Sequence, residues 1–246
     1  MLRALLFAAA ALAATPVIAA QPAGTPPAAQ PGARQAATEL ARLLAPRETM
    51  IPLNMKWAEK SIEDLPKLDA EAGEFEREFP GVHQAMWLAA KNELRAQLDS
   101  GLPDLWARLE QLYLAEMTET EIRALIAFYK TPTGKRLIEG MYGNSDLQPV
   151  IESMAASEDG SISEQSVRAA TEEAKRKTVT AANIDPKDIM PLVGAMPLAK
   201  MRAVGEKVQQ VTLEWVNKED PEQQERINKL MLEAAERFTE SKAPAK

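Results

Sequence analysis

The chain has 246 residues, of which 46% are hydrophobic and only 5% aromatic. That length suits one large or two small domains with a packed core, and a bias toward Ala, Leu, Glu and Lys favours helix over sheet. Net charge is −7, which argues against nonspecific nucleic-acid binding, and the absence of Cys excludes disulfides, thiolate metal sites and thiol nucleophiles.

Met1-Leu2-Arg3 is a short positive region, and Ala4–Ala14 is an apolar run. Small residues suited to cleavage close the segment at Ala19 and Ala20. Residues 1–20 therefore read as a secretory signal peptide, which places the mature chain in the periplasm. The run is too short to span a bilayer, which takes about 20 residues. Its removal deletes only Arg3, so the acidic balance persists. Residues 21–35 are rich in Pro and Ala and read as a flexible linker.

A helical domain is expected over residues 36–156. Leu40, Leu43 and Leu44 share one helical face before Pro46. Pro52 is expected to open the next helix, with Met55, Trp57 or Ala58, and Ile62 inward, and Pro66 to close it. Asp69–Phe79 is acidic but lacks the pattern of a calcium loop, so it reads as a solvated helix face. Val82, Met86, Trp87, Ala90, Leu94 and Leu98 form a long stripe. Gly101 should stop that helix, and Pro103 should open another carrying Leu105, Leu109, Leu112 and Tyr113. His83 is the only histidine. With no Cys and no patterned acids beside it, it reads as a surface or boundary residue. The methionines, such as Met86, Met141 and Met231, read as pliable core packing rather than as a copper site.

The chain is organised around Met117–Tyr142. Thr118 and Glu121 form a capping box, whose hydroxyl and carboxylate satisfy each other's backbone donors. Ile122, Leu125, Ile126 and Tyr129 make one apolar stripe, widened by Ala124 and Phe128. Lys130-Thr131-Pro132 ends this helix and starts the next, with Thr131 as cap and Pro132 in the first turn. Leu137, Ile138 and Met141 carry the second stripe, and Gly143-Asn144 stop it.

Tyr113, Met117-Thr118-Glu119, Glu121-Ile122, Ala124-Leu125, Ala127-Phe128-Tyr129, Thr131-Pro132 and Gly134-Lys135 together resemble the signature of domain-of-unknown-function family 2059. Those are exported helical proteins of Gram-negative bacteria. The resemblance implies an all-helical domain behind a signal peptide, and no assigned activity.

Residues 157–163 read as a linker, with Ser161 to Glu164 a second capping box. A helical half over 164–246 follows. Asp185 to Ile189, Leu192, Val193, Met196-Pro197 and Lys200 answer the central unit at an offset near 65 residues. A diverged repeat is one reading; the other is that any capped helix before a proline looks alike. Beyond Pro197 the expected stripes are Leu198, Met201, Val204, Val208, Val211 and Trp215, then Ile227, Leu230, Met231, Ala234 and Phe238.

No phosphate loop, dinucleotide fingerprint or nucleophile elbow occurs. The expected fold class is all-α, a helical bundle, with two related halves as a variant. No catalytic, metal or cofactor residue is assigned. The leading functional expectation is a non-enzymatic periplasmic interaction module, adaptor or holdase-like, with an envelope protein or peptide as partner. No nucleic acid and no transmembrane span are expected, and a homodimer is one candidate state. Trp57, Trp87, Trp106 and Trp215 are the candidate partner contacts. Thr118, Glu121, Phe128, Tyr129, Pro132 and Gly134 are signature residues with a structural role. A hydrolase using carboxylates on envelope polymers, or a carrier of a small apolar ligand, are the alternatives.

Overall fold

The computed structural model describes residues 31–143, 148–156, 162–182, 186–218 and 220–242. The expected signal peptide lies outside the described residues, as do most of the expected linkers. The described residues form α1 (Pro31–Leu44), α2 (Arg47–Leu68), α3 (Ala70–Glu78), α4 (Val82–Glu116), α5 (Glu119–Lys130) and α6 (Pro132–Gly143). They continue as α7 (Gln148–Ala156), α8 (Glu164–Ala182), α9 (Pro186–Ala195), α10 (Leu198–Val216) and α11 (Pro221–Lys242). The fold is all-α, and no strand occurs among the described residues.

The spine is α4. Its 35 residues extend roughly 52 Å at 1.5 Å per residue. Along one side, α1 and α2 run end to end and antiparallel to it. Arg34 and Thr38 meet Glu110, the Ala45 carbonyl meets Trp106, Arg47 meets Asp99, and Glu59 meets Trp87. Along another side, α10 and α11 do the same. Lys207 pairs with Glu116, Trp215 with Gly101, Lys218 with Asp104 and Arg226 with Glu93. The remaining helices pack around this frame: α5 lies on α1 and α9, α6 on α8, and α7 on α8 and α2. One core cluster takes side chains from both sides of the expected 157–163 linker, from Ala36 to Ala235.

Several expected helix ends move. Residues 31–35, expected in the linker, are the first turn of α1, where Pro31 fits because its missing N–H would be unsatisfied anyway. Pro52 and Pro66 lie inside α2 rather than at its ends. Gly101 and Pro103 do not divide α4. Gly costs about 1 kcal/mol and Pro about 3 kcal/mol in a helix interior. Against that, Leu98, Leu102 and Leu105 are at most 3% exposed. Burying three such side chains contributes about 5–9 kcal/mol, so tertiary packing wins. Ser163, not Ser161, caps α8: its hydroxyl accepts from the Ser166 N–H at 3.1 Å. Asn144, Ser161 and Asp185 fall outside the described residues.

The α5–α6 corner forms as expected. The Thr131 hydroxyl donates to the Phe128 carbonyl at 2.7 Å and accepts from the Gly134 N–H at 3.0 Å. Pro132 then opens α6. A Cβ on Gly134 would lie 2.2 Å from the Phe128 oxygen and 2.5 Å from the Tyr129 Cα. Both are backbone atoms that cannot swing aside, so the corner requires glycine. The expected repeat has the same helix–break–helix outline at α9–α10, but Pro197 precedes α10 instead of opening it. Leu192 is buried like Leu125, whereas Val193, which answers the buried Ile126, is exposed.

Gly134→Ala is expected to lower unfolding free energy by at least about 2 kcal/mol, through backbone overlap at the corner. Gly194→Ala, where nothing lies within 4 Å of the added methyl, should raise it by about 0.5–1 kcal/mol. Urea denaturation of the two variants checks the contrast.

Candidate functional site

The signature stretch begins with a carboxylate that serves two helices. Glu121 Oε2 accepts from the Thr118 N–H at 2.7 Å and from its hydroxyl at 2.9 Å, while the Thr118 hydroxyl accepts from the Glu121 N–H. This is the expected capping box. Both carboxylate oxygens also accept from Lys200 Nζ at 2.7 Å. The ammonium comes from the first turn of α10, so the pair ties the α5 start to the α10 start. Burial pushes the Glu121 carboxyl up, but the bonds from Lys200 and Thr118 outweigh it and hold it below the usual carboxylate range. Sequence reasoning had aligned Lys200 with Lys135 and missed this partner. The capping box already filled the carboxylate's local role, and nothing in the pattern shows a bond 79 residues long.

Behind the signature lie three tyrosines. Tyr113 is 1% exposed, and its phenol oxygen has no hydrogen-bond partner among the described residues. Burial pushes its phenol up, reinforced by Tyr129 and Tyr142. Tyr142 donates to the Leu44 carbonyl and so pins α6 to α1. Tyr129 stacks edge-on against Phe128 with ring centroids 5.1 Å apart. The signature residues Thr118, Glu121, Phe128, Tyr129, Pro132 and Gly134 thus build caps, a corner and a core.

The four tryptophans are buried or half-buried. Trp57, Trp87 and Trp215 are 5–8% exposed. Trp87 Nε1 donates to Glu59 at 3.1 Å, and Trp215 Nε1 to the Gly101 carbonyl at 3.1 Å. Trp106 is half-buried, donates to the Ala45 carbonyl at 2.9 Å, and lies under the Arg42 guanidinium. Trp87, Trp106 and Trp215 thus each turn an amphipathic ring to the core while the N–H finds an acceptor, which is why large aromatics look like contact residues in sequence.

His83 is also inside, 5% exposed, contrary to the surface or boundary placement expected. Its Nδ1 lies 2.6 Å from Glu76 Oε2, and Phe75 packs edge-on against its ring. Glu76 further accepts from the Gly81 N–H at 2.7 Å and the His83 N–H at 3.3 Å. Gly81, at φ +94°, occupies the left-handed region and offers no side chain to cap α4. The acid from α3 supplies the cap instead. Glu76 is therefore half-buried and turned away from the solvated face expected for Asp69–Phe79, although no residue of α3 is fully buried. Burial raises the Glu76 carboxyl, and the bonds from Gly81 and His83 together hold it below the usual range.

One surface stands apart. Met190, Val193 and Leu198 are 67%, 37% and 63% exposed and follow one another across the α9–α10 junction. Gly194 between them has nothing within 4 Å of its Cβ position. Sequence reading placed Leu198 at the head of a buried stripe and the methionines in the core. The two residues break that pattern because Met196 takes the inward position at the junction, fully buried, and turns its neighbours out. Among the described residues, no group of three or more His, Asp or Glu is placed to hold a metal.

Residues 104–156 match the family described as "Uncharacterized protein conserved in bacteria", domain-of-unknown-function family 2059. The match takes in the last third of α4 and continues through α5, α6 and α7, and it contains every signature residue. No curated protein and no solved structure matches the chain.

Two outcomes test this geometry. Tyr113→Phe removes an unsatisfied oxygen and is expected to leave stability unchanged or raise it by up to about 1 kcal/mol. Tyr142→Phe should lose about 1 kcal/mol with its bond to Leu44; thermal melts of both variants decide. Glu76 and Glu121 have folded-state carboxyls below their unfolded value of about 4.3. Their contribution is present above that pH and is lost as pH falls through the lower folded values. Glu76→Gln and Glu121→Gln should therefore be less stable than wild type at pH 7. The gap should close in acid, read from urea midpoints across pH 7 to 2.

Proposed function

We propose that the chain is a non-enzymatic interaction module of the periplasm, an adaptor or holdase that grips an amphipathic helical segment of an envelope protein. The observation that supports this reading is the exposed α9–α10 shoulder. Large apolar side chains left in water on a folded chain are informative when they adjoin one another. Met190 and Val193 lie one turn apart on α9, and Leu198 opens α10 beyond the break at Met196-Pro197. With no strand among the described residues to offer a free edge, such apolar side chains suit the apolar face of a partner helix rather than an extended peptide, which gains its affinity from main-chain pairing. Gly194 leaves room for a helix backbone to come close. Export rests on the charged start, apolar run and small-residue close of residues 1–20. In agreement with it, no described helix is long and apolar enough to cross a membrane.

The test places a photo-crosslinking residue at position 190, 198 or 232 and induces crosslinking in the periplasm. Leu232 is an exposed leucine on α11, so it serves as a surface control. The same discrete partner is expected at 190 and 198 and not at 232. A peptide from its crosslinked helix should bind the purified chain, and Leu198→Asp should weaken that binding at least about tenfold. Crosslinks only to a second copy of the chain, or a Leu198→Asp variant that binds undiminished, would overturn the reading.

A further inference from the structure

We propose that Met190 is a selective oxidation site, and that its sulfoxide switches the α9–α10 shoulder from apolar to polar; this rests on the shoulder being the contact surface. The chain has no Cys, so its only sulfur chemistry belongs to methionine. Met50, Met86, Met117, Met196 and Met231 are at most 7% exposed. Met55, Met141 and Met201 are half-buried. Met190 is 67% exposed. Among the methionines whose side chains are described, an oxidant in solution therefore reaches the Met190 thioether first, while the packed sulfurs wait on local opening. Met196 is an internal control. It lies six residues on, across the same junction, and is 0% exposed.

The chemistry is oxygen-atom transfer from a hydroperoxide. The thioether sulfur attacks one peroxide oxygen, the O–O bond breaks, and an S–O bond forms. Sulfur gives up two electrons, and hydrogen peroxide leaves as water. The product carries a strong dipole where an apolar tip stood. Because Met190 packs against so little, its oxidation changes the surface and leaves the core intact. The shoulder of Met190, Val193 and Leu198 would lose its most exposed member.

The purified full chain is treated with hydrogen peroxide. Each methionine is followed by peptide mass spectrometry, and the shoulder by fluorescence of an apolar dye. Met190 sulfoxide is expected to form at least about tenfold faster than Met196 sulfoxide, with the rates converging in denaturant. Dye signal should fall in step with Met190 oxidation, with little change in melting temperature. Met190→Leu should keep the signal under oxidant. Equal rates at Met190 and Met196 in the folded chain would overturn the proposal, as would another methionine reacting first. So would a Met190→Leu signal that falls as far as wild type. If the untreated chain shows no dye signal that Leu198→Asp abolishes, the shoulder reading itself fails. The order of oxidation then still judges Met190 as a site.

Discussion

The structure depends on α4 staying helical through Gly101 and Pro103. That midpoint is where both flanking pairs break. The α1–α2 break at Ala45-Pro46 lies opposite it, held by Trp106 to the Ala45 carbonyl and by Arg47 to Asp99 at 2.5 Å. The turn between α10 and α11 also lies opposite it, held by Trp215 to the Gly101 carbonyl and by Lys218 to Asp104. A helix weak at its centre is thus supported from two sides where its neighbours are also weak. Gly101 contributes space as well, since a Cβ there would sit 3.3 Å from the Trp215 ring. If α4 divided, four helices would lose a common register.

The second constraint is the Glu121 carboxylate. It satisfies the amide of its own cap and the ammonium of Lys200 together, with its side chain only 10% exposed. A lone charge at that depth would be costly, and a paired and capped one is tolerated. The family match therefore follows a piece of architecture. Thr118 and Glu121 start α5, Thr131 and Gly134 turn the corner, and Tyr142 ties α6 back to α1.

Local rules carried the sequence reading a long way where the signal is local. The capping box, the Thr131-Pro132 restart and the stripe from Val82 to Leu98 need only neighbours within two turns, and each appears as expected. The reading failed where distant contacts override propensity. Pro52, Pro66 and Pro103 read as boundaries, yet buried side chains hold the helices through them, Ile51, Trp57 and Ile62 on α2 and Leu98, Leu102 and Leu105 on α4. Glu76 looked like one more surface acid, because its partners Gly81 and His83 lie beyond a turn that periodicity does not describe. Leu198 fits an inward stripe and Met190 the general expectation of core methionines, yet Met196 takes the inward place. No spacing rule predicts which of several apolar residues at a helix junction is left outside.

The matched segment and the exposed shoulder are different parts of the chain, and the contacts between them give the division a physical sense. α9 packs on α5, and Lys200 anchors the start of α10 to Glu121. The position of Met190 and Leu198 is therefore set by the signature helix beneath them, although neither lies within residues 104–156. A rigid α5 with a fixed cap presents the α9–α10 junction at a defined angle. At the junction Leu192 and Met196 pack inward, while Met190, Val193 and Leu198 stay in solvent. The exposed side chains are thus held in place through α5 and Lys200 rather than through contacts of their own.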